Sequence, residues 1–282
     1  LKGSLIPFIL SELFSIGKAS FLIILPYEKE AAQAAADLRD AGVPAFYFPD
    51  SGHLPYSEGR RSSPAEGERF ALLQRLASAQ KCIVTVSLRS FLQPVTPPSV
   101  LSAMKMTVKV GGSLDTQALE RFLSDGGYTR TVRVSAAGEF AVRGEVVDVF
   151  PPGQKAAVRI VAEWDVIEKI RRFDPLSQES IEEISEADLY PAVEWIWSDE
   201  RIDGLASFLS KKSYLRGKCD LFLSDLREKR SCAAEEQLYP LSFGKRAFLS
   251  DYLKDKDAAV FVNPERFGAL AEGAFKELKG LY

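Results

Sequence analysis

Four short runs of apolar residues restrict the fold of this chain more than any other feature of its sequence. They are Phe21–Leu25, Ala45–Phe48, Ile83–Val86 and Ala258–Val262. Apolar runs of this length without alternation are typical of strands that are buried on both faces of a parallel sheet. A helical pattern follows each run, and Gly42 ends the helix Glu28–Asp40 that is predicted after the first run. We therefore expect an α/β layer that is completed by the last of the four strands.

The middle of the sequence has a different pattern, in which apolar and polar residues alternate. The alternation loses its phase at Gly144, which we interpret as a β-bulge. One short helix, Asp115–Ser124, interrupts the strands. These patterns predict an antiparallel meander inserted into the α/β layer. Its strands are Met106–Val110, Tyr128–Val134, Glu139–Val142, Val146–Val149, Val158–Trp164 and Val166–Phe173, with turns at Ser135–Gly138 and Asp165.

The change of pattern divides the chain into three segments. Residues 1–93 are expected to form the first part of the α/β domain, 94–191 an inserted α+β domain with an antiparallel sheet, and 192–282 the second part of the α/β domain. Helices are expected in the last segment at Ser198–Ser210 and Pro264–Leu278. The path of residues 192–256 is left open by the sequence.

Composition excludes several classes of function. The single histidine, His53, leaves no histidine cluster for a metal and no His-based triad. Cys82, Cys219 and Cys232 have no metal-binding spacing, and so sparse a set indicates a reducing compartment, so we expect a cytoplasmic protein. Net charge is −3, which gives no sign of a nucleic-acid binder. The apolar stretch Leu5–Leu25 is interrupted by charged residues and predicts no membrane span or signal peptide. Because the chain does not begin with methionine, we expect a fragment of a longer protein.

Nucleotide chemistry needs a phosphate-binding loop, and the sequence lacks one. Gly17-Lys18-Ala19-Ser20 resembles the end of such a loop, but Glu12 stands where its first glycine is needed, and a strand follows instead of a helix. Lys2-Gly3-Ser4 precedes a helix but lacks the glycine-rich approach and the following lysine. We therefore expect no catalysis, no cofactor and no metal in this chain.

Arginines in the meander are the remaining candidates for function. They form either a solvated face of the sheet or a protein interface, where arginine is enriched because it pairs bidentately and stacks. Residues 93–191 contain 11 Lys and Arg against 15 Asp and Glu, a balance that favours a mixed-charge protein interface over a phosphate-binding surface. These arginines are Arg130, Arg133, Arg143, Arg159, Arg171 and Arg172.

The same segment resembles one shared by the excision-repair helicase UvrB and the bacterial transcription-repair coupling factor (Mfd) family. The flanks are similar to the coupling-factor version, and the tyrosine-rich damage-probing hairpin of UvrB is missing. The resemblance is carried by Gly127–Arg130, Gly138–Pro151, Arg159-Ile160, Ile170–Pro175, Ser177-Gln178 and Leu189–Pro191, and in the flanks by Phe48–Asp50, Leu54–Tyr56, Ser63-Pro64 and Arg69.

The resemblance implies an amino-terminal, UvrB-like region with a degenerate RecA/helicase-like α/β domain that neither binds nor hydrolyses ATP. It implies that residues 94–191 bind UvrA during transcription-coupled nucleotide excision repair. In the full-length family, a DNA-dependent ATPase translocase, RNA polymerase and DNA are bound by regions outside this chain. A carboxy-terminal domain of the longer protein is implied to mask the UvrA-binding surface.

Matching positions imply that Arg130, Arg143 and Phe150 contact UvrA, with Arg159 and Arg171 as secondary candidates. For Phe150 the alternative is a core residue at the end of a strand. The family's second basic residue near Ala136-Ala137 is missing here. Two other functions stay open: a UvrB-like ATP-dependent helicase fragment, which nucleotide binding would reveal, and a DNA-binding module, which strongly salt-dependent DNA binding would reveal.

Overall fold

The computed structural model describes residues 5–52, 64–78, 80–212, 219–232 and 235–280, and the chain divides into two compact units. The parallel unit comprises Leu1–Ala65, Arg75–Pro98 and Trp197–Tyr282. The antiparallel unit comprises Glu66–Gln74 and Ser99–Ile196. The domain boundaries drawn from the sequence at residues 93 and 191 stay predictions.

The helices and strands account for most of the described residues. The helices are α1 Leu5–Ile16, α2 Glu28–Asp40, α3 Pro64–Ala77, α4 Leu88–Phe91, α5 Pro98–Ala103, α6 Thr116–Asp125, α7 Asp199–Ser210, α8 Asp220–Lys229, α9 Glu235–Leu238 and α10 Phe267–Gly280. The strands are β1 Phe21–Leu25, β2 Ala45–Phe48, β3 Ile83–Ser87, β4 Met106–Lys109, β5 Thr129–Arg130, β6 Glu139–Arg143, β7 Val146–Phe150, β8 Ala157–Glu163, β9 Val166–Phe173, β10 Ser180–Ile184, β11 Glu186–Leu189 and β12 Ala258–Phe261.

The parallel unit is built on a four-stranded sheet in the order β12-β1-β3-β2, with every pair parallel. All four strands were predicted from the apolar runs, and β12 completes the sheet as expected. As an edge strand, however, β12 is not buried on both faces as predicted, and its Phe261 is 48% exposed. Strands β1 and β3 are buried almost throughout, because helices cover the sheet. Helix α2 packs closely on the sheet through the small side chains of Ala31 and Ala35 together with Leu38.

The path of residues 192–256 was left open by the sequence, and the described parts of this range, 192–212, 219–232 and 235–256, contain helices and short 3₁₀ turns. The helix predicted at Ser198–Ser210 is confirmed as α7, and the Ser198 hydroxyl caps it by accepting a bond from the Arg201 amide. Trp197, Tyr239 and Phe243 meet edge to face, with ring centroids 5.1 Å apart in both pairs. The Tyr252 hydroxyl donates to the Thr96 carbonyl at 2.6 Å and so ties this segment to the residues after α4.

The antiparallel unit contains a six-stranded sheet in the order β10-β9-β8-β7-β6-β5 and a two-stranded sheet, β11-β4. Helix α6 begins where Asp115 caps it and packs Leu119 and Leu123 against one face of the larger sheet. The described residues therefore form a mixed α/β protein with a four-stranded parallel sheet, a six-stranded mainly antiparallel sheet and a two-stranded antiparallel sheet. Among the described residues, no helix has the length and apolar character that a membrane span requires.

Several details of the meander differ from the prediction. Strand β4 lies outside it and pairs with β11, and neither β10 nor β11 was predicted. Gly144 is not a bulge: it begins a two-residue hairpin turn, with φ of 59°, and Arg143 pairs with Val146 across it. A glycine at the first turn position is typical of type II′ hairpins, and the turn explains why the alternation loses its phase. The predicted strand Tyr128–Val134 shortens to β5, which pairs with β6 in parallel rather than antiparallel.

Candidate protein-docking face

The six-stranded sheet has two unlike faces, because side chains alternate along each strand. On the helix-covered face, Phe140, Val147, Val149, Val158 and Ile160 pack against α6. The opposite face, here called the charged face, carries Arg143, Asp148, Arg159, Arg171 and Glu183. Asp148, Arg159, Arg171 and Glu183 are paired in register on four adjacent strands.

Asp148 is the centre of the charged face. Its side chain is 1% exposed, although it is ionisable and lies in the apolar strand β7. Arg159 donates to both of its carboxylate oxygens, from Nε at 2.7 Å and from Nη2 at 2.9 Å. Arg143 donates to Oδ2 from its own Nη2. One buried carboxylate therefore orients two guanidinium groups, and the hydrogen bond to Asp148 raises the pKa of Arg159 above its ordinary value.

Arg159 makes two further contacts. Its guanidinium carbon lies 4.4 Å from the centroid of the Phe173 ring, a cation–π contact. Its Nη2 also donates to Gln178 Oε1 at 3.0 Å. The Gln178 amide in turn donates to the carbonyls of Val134, at 3.2 Å, and Pro175, at 2.8 Å. Gln178 therefore connects the arginine to two loops, residues 131–138 and 174–179.

The two loops are also joined directly, and each exposes an apolar side chain beside the arginines. Arg133 Nη2 donates to the Leu176 carbonyl at 3.0 Å, and Arg143 Nη1 approaches the Val132 carbonyl at 3.5 Å. The side chains of Val132 and Leu176 are 87% and 78% exposed. Exposed apolar groups around a guanidinium are a common composition of protein interfaces.

Each loop is held by a carboxylate that accepts backbone N–H bonds. Glu139 accepts from the amides of Ala136 and Ser135, at 2.9 and 2.8 Å, and these bonds lower the pKa of Glu139. Asp174 accepts from the amides of Ser177 and Leu176, both at 2.8 Å, which lowers the pKa of Asp174. These hydrogen bonds therefore fix the conformation of both loops in the absence of a partner.

The five residues predicted to bind a partner do not lie in one cluster. Arg143 and Arg159 meet at Asp148, whereas Arg171 lies further along the charged face and pairs with Glu183 at 3.1 Å. Arg130 is on the other side: it pairs in register with Phe140 and donates to Glu120 of α6 at 2.8 Å. All four arginines therefore have intramolecular partners, and Arg143 and Arg130 keep exposed side chains.

Phe150 lies in the protein interior. It is 9% exposed and belongs to a small core cluster with Val134, Ala141, Ala157 and Phe173, beneath the loop of residues 131–138. The structure therefore gives it a packing role under the charged face, and direct contact with a partner stays a prediction.

Sequence reasoning missed Asp148 and Gln178, which organise the face. A signal for Asp148 was present: one aspartate within the apolar run Val146–Phe150 must be paired if that strand is buried. Gln178 gave no such signal, because its contacts depend on how two loops meet.

Gly17-Lys18-Ala19-Ser20 has the wrong surroundings for phosphate. It follows the carboxyl end of α1, where carbonyl groups repel anions, and leads into β1. Lys81 donates to the Phe14 and Gly17 carbonyls there. Lys2-Gly3-Ser4, His53, Leu54–Tyr56 and Ser63 lie outside the described residues. Within the described ranges, no group of His, Cys, Asp and Glu side chains is arranged to hold a metal ion.

Part of the antiparallel unit matches a known domain family. Residues 106–195 match the family described as the UvrB interaction domain. The chain is 32% identical over 215 residues to the transcription-repair-coupling factor of Myxococcus xanthus, covering 71% of this chain and 17% of that protein. It is 26% identical over 275 residues to the corresponding factor of Haemophilus influenzae, covering 97% of this chain and 24% of the relative. The chain thus spans less than a quarter of the length of these relatives.

Proposed function

This chain is related to the UvrB-like amino-terminal region of the transcription-repair coupling factors, and from that relationship we propose that it is a non-catalytic docking module for UvrA. The charged face of the antiparallel unit is the proposed contact surface. The match of residues 106–195 to the UvrB interaction domain supports this choice, because that range contains the whole six-stranded sheet.

The arrangement at Asp148 is the observation that carries the proposal. One carboxylate is shared by two arginines, so the cluster keeps a positive charge that a partner can neutralise. Arg143 is 42% exposed, and the described contacts involve only two of the five N–H groups of its guanidinium. An acidic side chain of UvrA can accept from the others, while Val132 and Leu176 supply apolar contact beside it.

Arg130 and Arg171 are proposed as peripheral contacts. Arg171 lies towards the β10 edge of the charged face, so a partner centred on Arg143 reaches it only by extending across that face. Arg130 lies on the other face at the β5 edge, so the partner reaches it only by wrapping around that edge. Because both lie away from the Asp148 cluster at the centre of the proposed contact, each is proposed to contribute less binding energy than Arg143.

The proposed biological role is recruitment of UvrA, in the cytoplasm, to lesions at which RNA polymerase has stalled. The rest of a longer protein would supply the polymerase contact, the DNA-dependent motor and the carboxy-terminal domain that masks the charged face. The parallel unit is proposed to be a degenerate helicase-type layer. The unsuitable surroundings of Gly17–Ser20 support this, and an unchanged melting temperature in Mg²⁺ and ATP is the expected result.

Calorimetry with purified UvrA tests the docking proposal. We expect Arg143→Ala to weaken binding by about 2 kcal/mol, typical of an interface hot spot. The matched control is Arg172→Ala: Arg172 is 48% exposed and ion-paired like Arg143, but pairs in register with Val158 of the helix-covered face. Equal affinities for the wild type and a folded Arg143→Ala variant would refute the proposal.

A further inference from the structure

Apolar packing does not explain why the Asp148 carboxylate is buried at the centre of the charged face. Val147 and Val149, its neighbours in β7, point into the core on the other side of the sheet. A buried aspartate in a strand is costly unless it is paired, and here it is paired only by groups that also reach the surface. The buried Asp148 carboxylate therefore orients the guanidinium groups of Arg143 and Arg159.

We propose that Asp148 is a positioning residue for the docking face: it fixes the Arg143 guanidinium before UvrA arrives, so that binding does not have to order a flexible side chain. The inference rests on the proposed function, since it concerns how the same face binds UvrA.

The geometry separates the duties of the two arginines. Arg159 binds Asp148 through two parallel hydrogen bonds, stacks on Phe173 and reaches Gln178, so it is a structural partner that holds the carboxylate in place. Arg143 donates to Asp148 from Nη2 and approaches the Val132 carbonyl with Nη1, and its side chain is 42% exposed. Arg159 therefore holds the Asp148 carboxylate in place, and the carboxylate in turn orients Arg143.

Preorganisation matters for arginine because its side chain has many rotamers. Immobilising such a side chain on binding costs about 0.5–1.5 kcal/mol, which corresponds to roughly two- to tenfold in affinity. Loss of the Asp148 charge would release Arg143, whereas Arg159 would keep its bond to Gln178 and its contact with the Phe173 ring. The two loops would stay joined through Gln178 and Arg133.

The test is a double-mutant cycle with UvrA as the probe. Asp148→Asn keeps the shape of the side chain but removes the charge. We expect Asp148→Asn to weaken UvrA binding about tenfold in the wild-type background and less than about twofold in Arg143→Ala, because the positioned group is then absent. The matched control is Asp188→Asn, which removes an exposed carboxylate paired with Lys105 elsewhere in the same unit.

Each outcome has one meaning. If Arg143→Ala weakens binding but Asp148→Asn does not, the positioning role is refuted and the docking proposal stands. Equal losses in both backgrounds would show that Asp148 acts only through the stability of the unit, which also refutes positioning. If a folded Arg143→Ala binds normally, the docking proposal itself fails and the inference fails with it.

A second measurement covers the case in which Asp148→Asn does not fold. In the wild-type chain, NMR relaxation of the arginine Nε–H groups reports how rigid each side chain is. We expect the Arg143 and Arg159 signals to be as rigid as the backbone and the exposed Arg130 signal to be mobile. Equal mobility of Arg143 and Arg130 would overturn the proposal.

Discussion

The two larger sheets of this protein differ in how many of their faces are covered. Strands β1 and β3 of the parallel unit are buried on both sides, so their polar groups are satisfied inside the unit: the Thr85 hydroxyl donates to the Ala31 carbonyl at 2.7 Å. Strands β8 and β9 of the antiparallel unit alternate between buried and exposed residues. Because α6 covers only one face, the other is left for charged residues.

This difference in coverage distinguishes a sheet with a structural role from a sheet that can bind a partner. A sheet that is covered on both sides has no face to offer a partner, whereas a half-covered sheet displays side chains from several strands in fixed register. In this chain, the residues from which we infer docking come from β6, β7 and β8 and from two loops beside them.

The largest expected effect comes from the core of the parallel unit. Ile24→Ala removes a fully buried side chain from the central strand β1 and should lower the free energy of unfolding by about 2–5 kcal/mol. Ile160→Ala is the matched change in the antiparallel unit. On heating, the temperature at which UvrA binding is lost should be higher for Ile24→Ala than for Ile160→Ala. The reverse order would contradict the assignment of docking to the antiparallel unit.

A smaller effect is expected where the turn between β7 and β8 approaches α3. At Gly153, with φ of 72°, an added Cβ would lie 2.2 Å from the Ala71 Cβ, so Gly153→Ala combines backbone strain with a steric clash. Gly138→Ala has a similar φ, 83°, in open space and should cost about 1 kcal/mol. We expect Gly153→Ala to cost about 1–3 kcal/mol more in urea unfolding. Equal costs would show that α3 and this turn do not pack closely.

The smallest expected effect is a dependence on pH at the loop of residues 131–138. The pKa of Glu139 is lowered from 4.5 by bonds from the Ala136 and Ser135 amides, so its stabilisation is present above 4.5 and is lost as pH falls through the lower, folded value. Glu139→Gln should therefore cost about 0.5 kcal/mol at neutral pH, since the site is exposed, and nothing at strongly acidic pH. Unfolding curves that differ equally at both pH values would contradict this cause.

The fold was more predictable from the sequence than the site. The four parallel strands were predicted because continuous apolar runs have few other interpretations, and α6 and α7 from their helical patterns. The structure adds that Asp115 and Ser198 cap these two helices. The parallel pairing of β5 with β6 was missed because strand direction depends on a loop whose path local pattern does not encode. The hairpin at Gly144 was taken for a bulge because both shift the alternation by the same amount.

The site was predicted as residue types rather than as an arrangement. Arginines in strands were a visible signal, but their distribution over two faces depends on register, which placed Arg130 with Phe140 and Arg159 with Asp148. The sequence does not reveal that a buried carboxylate joins Arg143 to Arg159, because this contact depends on how three strands pair.

Hydrogen–deuterium exchange of the chain with and without UvrA tests the central claim most directly. If UvrA docks on the charged face, the backbone amides of residues 131–137 and 174–178 should exchange more slowly in the complex, together with those around the Gly144 turn. Slower exchange confined to α6 or to the parallel unit, with these loops unchanged, would contradict it.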